Sequence, residues 1–273
     1  MANESHETFY SVADAEVQRT MVGSRRAQQW VGFLLPYLYP GMTVLDCGCG
    51  VGSITLDIAE RVHPGQVVGI DSDEAQLAIA RTNAVERGLT NVAFEQGDVY
   101  HLHVADASFQ AVLAHTLLFH LRDRSAVLRE FYRVLTPDGV VGISDDDYGT
   151  IVYSPPDPRM QQFVALLAKI VQFNGGDPFY SRHLRHELLQ AGFTRTAGYG
   201  VAADYHGTLE ATRRAAALGS QALRTPVITN LILSQEWSTQ AELDATTDWI
   251  HEWGELPDAF LSVGYCAALG WKA

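Results

Sequence analysis

The segment VLDCGCGVGSITLDIAERV, residues 44–62, constrains this chain more than any other stretch. Gly48, Gly50 and Gly52 stand at alternate positions between an apolar run and a run whose Ile54, Ile58 and Val62 share one helical face. That pattern predicts a buried strand, a tight turn and a helix. Glycine permits positive φ and removes the side chain, so a ligand can lie against backbone amides at the helix start. A dinucleotide fingerprint, G-x-G-x-x-G, would need a third glycine where Ser53 stands. The spacing here is G-x-G-x-G, and it suits a small anionic or zwitterionic ligand.

The same alternation continues downstream. QVVGID predicts a second strand; Ser72 or Asp73 caps a helix carrying Leu77, Ala80 and Ala84, which Gly88 closes. NVAFEQGD and FQAVLAH predict a third and a fourth strand, SAVLREFYRVL a helix stopped by TPDG, and VVGISD a fifth strand. Strands alternating with helices imply an α/β, Rossmann-like fold with a seven-stranded, mostly parallel sheet, helices on both faces and a helical cap. In the last third, helices are expected near 160–173 and in RHLRHELLQAG, and strands in GFTRTAGYGVAADY and FLSVGYCAALGWK. The expected organisation is an amino-terminal helical lid over 1–40, a core over 41–150, and a remainder over 151–273. A helical substrate cap over about 208–253 interrupts that remainder.

Composition narrows the partners. A formal net charge of -13 with no basic stripe disfavours nucleic acid. The chain shows no 18-residue apolar run and no signal-peptide pattern, so no membrane span and a cytoplasmic location are expected. Cys47, Cys49 and Cys266 form no CxxC pair, which argues against disulfides and structural zinc. A homodimer is left open.

Three acids end successive strands. Asp71 can accept both hydroxyls of a ribose, with Ser72 beside it. Asp98 can accept from an exocyclic amine while the Val99 amide serves a ring nitrogen, and Asp46 can bind an ammonium directly or through water. At these residues VLDCGCGVGSIT, VVGIDSD, FEQGDV and FYRVLTPDGVVGIS resemble the ordered motifs of class I S-adenosylmethionine-dependent methyltransferases, over about 39–146. The resemblance is closest to the group holding ubiquinone and menaquinone biosynthesis enzymes and many small-molecule methyltransferases. It implies S-adenosylmethionine as cofactor. Asp46 and the turn through Gly48, Cys49 and Gly50 would hold its methionine part, Asp71 its ribose, and Asp98 with Val99 its adenine. It also implies an amino-terminal helix over the cofactor, from which Arg25 or Tyr10 reaches the cofactor carboxylate or the substrate.

The implied reaction is methyl transfer by in-line displacement to an oxygen, nitrogen or carbon of a small, hydrophobic or aromatic metabolite. The alternative is a protein of this fold that binds the cofactor without methyl transfer, as a cyclase, a decarboxylase or a non-catalytic binder. Proximity supplies much of the rate, and a histidine near neutral pKa is the natural proton acceptor. His115, ending the fourth strand beside the sulfonium, is the first candidate, and His120 the second. Asp145, Asp146 and Asp147 offer oxygen ligands for Mg²⁺. A metal-dependent member would want a carboxylate where His115 stands, so no metal is expected and the run reads as a solvated turn or as one acid touching substrate. His101 and His103 read as solvent-facing.

Overall fold

The computed structural model describes residues 23–273, apart from the side chains of 202–204. Its strands are β1 (Val44–Cys47), β2 (Val67–Asp71), β3 (Val92–Gln96), β4 (Phe109–His115), β5 (Leu135–Asp146), β6 (Val152–Ser154), β7 (Arg195–His206) and β8 (Phe260–Trp271). They form one sheet in the order β3-β2-β1-β4-β5-β8-β6, with β7 pairing β8. The pairs from β3 through β5 are parallel, and all those made by β8 are antiparallel. The sheet has eight strands rather than the seven expected. The extra one, β6, is three residues long, too short to show alternation, and Pro155 and Pro156 stop it.

Helices α1 (Ala27–Trp30), α2 (Ser53–Val62), α3 (Glu74–Glu86), α4 (Arg124–Val134), α5 (Pro158–Phe173) and α6 (Leu184–Gln190) precede α7 (Leu209–Arg224), α8 (Pro226–Ser234) and α9 (Gln240–Gly254). Strand parity divides the core into two layers. Leu45, Cys47, Val112, Ala114, Val141 and Ile143 face one side. Val44, Ala111, Leu113 and Val140 face the other, against Ile54, Ile58 and Val62 of α2. By the same parity His115, Ser144 and Asp146 belong to the α2 side, and Asp145 and Asp147 to the opposite one.

Of the amino-terminal lid expected over 1–40, residues 1–22 lie outside the described residues. Among 23–40 the described elements are α1 and a 3₁₀ turn at Leu35–Tyr37, with Gly32 weakening and Pro36 breaking a longer helix between them. The apolar run still does its work: Trp30, Val31, Leu34 and Leu38 are buried on the α2 side of the sheet.

The helical excursion is real and has its own core. Met160, Leu166 and Ile170 of α5 pack with Leu223, Ile232, Leu243, Trp249 and Trp253. Thr239 and Glu242 close a capping box at the start of α9, and the Trp253 indole N–H donates to the Ser154 carbonyl at 3.0 Å, fastening the excursion to β6. Among the described residues no helix is long and apolar enough to cross a membrane.

Candidate active site

The order of strands reverses between β1 and β4, and a crevice beyond the carboxyl ends of the strands is expected there. The glycine turn lies at that point. Gly48, Gly50 and Gly52 have φ of 74°, 52° and 77°, the left-handed region that side chains with a Cβ avoid. A Cβ on Gly52 would also stand 2.8 Å from Phe94 Cζ. The turn's amides are less available than the sequence suggested. Gly48 and Cys49 donate to the Ile70 carbonyl at 2.7 and 3.1 Å, and Gly50 donates to Asp71 Oδ2 at 2.8 Å. These bonds stitch the turn to the end of β2, so ligand recognition falls to side chains and to the space the glycines leave.

Asp71 is thereby oriented before any ligand arrives. One carboxylate oxygen accepts from Gly50 and the other from the Asp73 amide at 3.0 Å, and each keeps a lone pair for a hydroxyl. Burial raises its pKa and these two bonds oppose the rise. Ser72 is exposed, with its carbonyl accepting from Gln96 at 2.9 Å. The Cys49 side chain points away from the crevice, among Leu56, Leu77, Ala80 and Phe94, and burial pushes its thiol far up.

Asp46 is 3% exposed. Its Oδ2 accepts a 2.6 Å hydrogen bond from Thr55 Oγ1 on the first turn of α2. Burial pushes its pKa up to about 7, against the Thr55 bond and with help from the Asp71 charge. Thr55 was not singled out in the sequence; a buried hydroxyl on an otherwise apolar helix face is the signal that could have found it. Asp98 follows β3, is largely exposed, and accepts from the Tyr100 amide at 2.9 Å, while the Val99 side chain is buried. His101 and His103 are exposed, as read.

Asp46 pairs in register with Leu113, so His115 stands one same-face position further along the neighbouring strand. His115 is 8% exposed, and neither ring nitrogen finds a hydrogen-bond partner among the described residues. Its ring lies 5.6 Å from Trp30 and stacks on Tyr265 at 5.8 Å. Burial, then the Arg25 charge, hold its pKa well below the usual histidine range, against a smaller pull from the Ser144 backbone. The imidazole is neutral at pH 7.

Arg25 crosses above this cluster. Its guanidinium donates to Thr116 Oγ1 at 3.0 Å and to the Tyr265 hydroxyl at 3.5 Å, and sits 5.2 Å from the Trp30 ring. Thr116, at φ 56°, is a strained residue of the kind that clusters at functional sites. Tyr10 lies outside the described residues. His120 is half-buried on the turn after β4, its ring 3.7 Å from that of Phe119, and burial lowers it to about 4.

The Asp145–Asp147 run is not a solvated turn. All three side chains are buried: β5 carries Asp145 and Asp146 inward to its last residue, and Asp147 caps the 3₁₀ turn that follows. Asp145 accepts from the Leu117 amide at 2.7 Å, and burial, with the Asp146 charge, raises it to about 7. Asp147 is gripped by Arg182 at 2.7 and 2.5 Å and by the Gly149 amide. No cluster of three or more His, Cys, Asp or Glu among the described residues has the geometry of a metal site. The NGGDP loop lies against the turn after β4, with the Asp177 amide on the Phe119 carbonyl at 2.8 Å and the Pro178 carbonyl accepting from Tyr148 at 3.0 Å.

The methyltransferase domain family matches residues 38–175, just over half of the 273. The chain belongs to that family. An uncharacterized methyltransferase of Schizosaccharomyces pombe is 28% identical over 188 residues, 67% of each chain. A demethylmenaquinone methyltransferase of Lactobacillus johnsonii is 38% identical over 112 residues, 40% of this chain and 46% of the enzyme, so the match spans under half of that relative. The crystal structure of the [4+2]-cyclase SpnF superposes with a TM-score of 0.54 at 23% identity, covering 94% of this chain and 81% of that one. That likeness establishes the Rossmann-like methyltransferase-domain fold. The matched span holds the glycine turn, all three strand-end acids and His115, and it leaves out α7 to α9.

Proposed function

We propose that this methyltransferase-domain chain moves the methyl group of S-adenosylmethionine to a small, apolar or aromatic acceptor. The observation that carries the reading is the alignment of Asp46, the glycine turn and Asp71 with a buried, neutral, unpartnered imidazole on the next strand. The donor set fits such a cofactor. Asp46, held by one hydroxyl and costly to ionise alone, suits an ammonium; the pinned Asp71 carboxylate suits a ribose; exposed Asp98 suits an adenine amine.

Bound S-adenosylmethionine supplies a methyl already activated on a sulfonium. What remains for the chain is to place the acceptor about 3 Å from the methyl carbon, exclude water and receive a proton. Trp30, Tyr265 and Arg25 exclude water around His115. His115 receives the proton from a protic acceptor at a ring nitrogen that no other described group occupies. Helices α7 to α9 with the NGGDP loop form the acceptor's roof, in keeping with their separate core and their position outside the matched span. The acidic net charge favours a small acceptor over nucleic acid.

The test is calorimetric binding of S-adenosylmethionine, followed by mass spectrometry of turnover with candidate acceptors. Demethylated cofactor should accumulate one-for-one with methylated product, whereas a cyclase or non-catalytic binder would consume none. His115→Asn should keep cofactor affinity and lower kcat by about 10²-fold. Normal turnover by this variant would remove His115 from the mechanism.

A further inference from the structure

The α2-side face of the sheet ends in a patch of polar side chains that the cofactor reading does not use. His115 pairs in register with Ser144, and Asp146, two residues on along the same face, pairs with Tyr265. Ser144 is fully buried and its hydroxyl, like both His115 nitrogens, has no hydrogen-bond partner among the described residues. Two adjacent, buried, unpartnered polar groups aimed into one space cost several kcal/mol if nothing joins them. Trp30 and Tyr265, packed edge to face at 4.8 Å and each beside the His115 ring, border the patch with aromatic surface.

We propose that the group seated there is a neutral hydroxyl on a planar ring, a phenol or an enol, donating to His115 and accepting from Ser144. The inference rests on the methyl-transfer reading and names its acceptor class. A hydroxyl is at once a donor and an acceptor, which matches the unprotonated nitrogen of a neutral imidazole, which accepts, and a serine hydroxyl that can donate. Charges of both signs border the patch, which favours a neutral group over a cation or an anion. Arg25, which already occupies the Tyr265 hydroxyl and the Trp30 face, repels a protonated amine. The Asp146 carboxylate, whose field adds to burial in raising the half-buried Tyr148 phenol, repels a carboxylate or a phosphate.

The chemistry balances with these residues. The acceptor oxygen bonds to the methyl carbon as the carbon–sulfur bond breaks, the sulfur keeps the electron pair, and the hydroxyl proton passes to His115.

Three para-substituted rings separate the possibilities: para-cresol, para-methylbenzylamine and para-toluate, a neutral phenol, an ammonium and a carboxylate near pH 7, titrated by calorimetry with and without S-adenosylhomocysteine. The phenol should bind at least about ten-fold more tightly than either rival, and Ser144→Ala and the ring-conserving His115→Phe should each erase about ten-fold of that affinity. S-adenosylhomocysteine affinity, measured on each variant, reports that the fold survives. Equal or better binding of the amine or the carboxylate, no binding of any ring, or a Ser144→Ala variant that holds the phenol as well as the wild type would each overturn the proposal. Failure of S-adenosylmethionine itself to bind the wild type would sink the methyl-transfer reading instead, and is scored separately.

Discussion

Cofactor binding should be linked to a proton on Asp46, and Thr55 should set the pH at which it happens. The buried carboxyl titrates at about 7 instead of 3.8, roughly three units, so ionising it inside the ligand-free protein costs about 4 kcal/mol. An ammonium docking on Asp46 requires the carboxylate. S-adenosylmethionine affinity should therefore rise up to ten-fold per pH unit below about 7 and level off above it, with close to one proton released below the midpoint. Asp71, also raised by burial, acts in the same sense.

Thr55→Val removes the 2.6 Å donor at nearly constant volume. Losing a hydrogen bond to a charged group, about 1.5 kcal/mol, moves the midpoint up by roughly one unit and weakens binding at pH 7 by about five- to ten-fold. The deficit should shrink as pH rises further. Calorimetry in two buffers of different ionisation heat measures both affinity and proton release. An affinity flat between about pH 5 and 8, with no proton released, would refute the reasoning. So would a Thr55→Val midpoint equal to that of the wild type.

Other outcomes follow from the same structure. Asp46 and Asp145 both have raised folded pKa values, so their contribution to stability is complete below the unfolded value near 3.8 and is lost as pH rises through about 7. Thermal melts of the ligand-free protein should accordingly fall between about pH 4 and 7 and level off above, and a rise over that window would contradict the burial of these acids. Asp147→Ala strips Arg182 and the Gly149 amide of their acceptor; with Asp147 1% exposed but Arg182 45% exposed, a loss of about 2 kcal/mol in urea unfolding is expected. A change below about 0.5 kcal/mol would mean the pair is screened as surface pairs are. Gly52→Ala combines a φ of 77° with a methyl 2.8 Å from Phe94 Cζ, so stability should drop by about 1–3 kcal/mol, with cofactor affinity falling alongside. Unchanged unfolding and binding would show the turn to be permissive.

The local grammar of the chain was enough for the strand–turn–helix units, because hydrophobic period, caps and glycines act within a few residues of one another. Asp73 capping α3 and the left-handed glycines at 48, 50 and 52 are such short-range effects, and they stand where the sequence placed them. The strand-end acids were legible for the same reason: a run of apolar residues ending in Asp marks a strand emerging at the sheet's edge. What each acid touches was not legible. Gly50 reaches Asp71 across 21 residues, Tyr265 reaches Arg25 across 240, and Arg182 reaches Asp147 across 35. Such partners are chosen by sheet register and layer packing, which carry no mark in the neighbouring letters. Residues 27–38 show the limit from the other side, since Trp30, Val31, Leu34 and Leu38 are buried although Gly32 and Pro36 interrupt the helix there. Strand parity alone could say that His115 and Ser144 face the same way once β4 and β5 are neighbours. Only the tertiary structure makes them neighbours, because pairing two strands separated by a helix is decided by where the whole sheet can bury both of its faces.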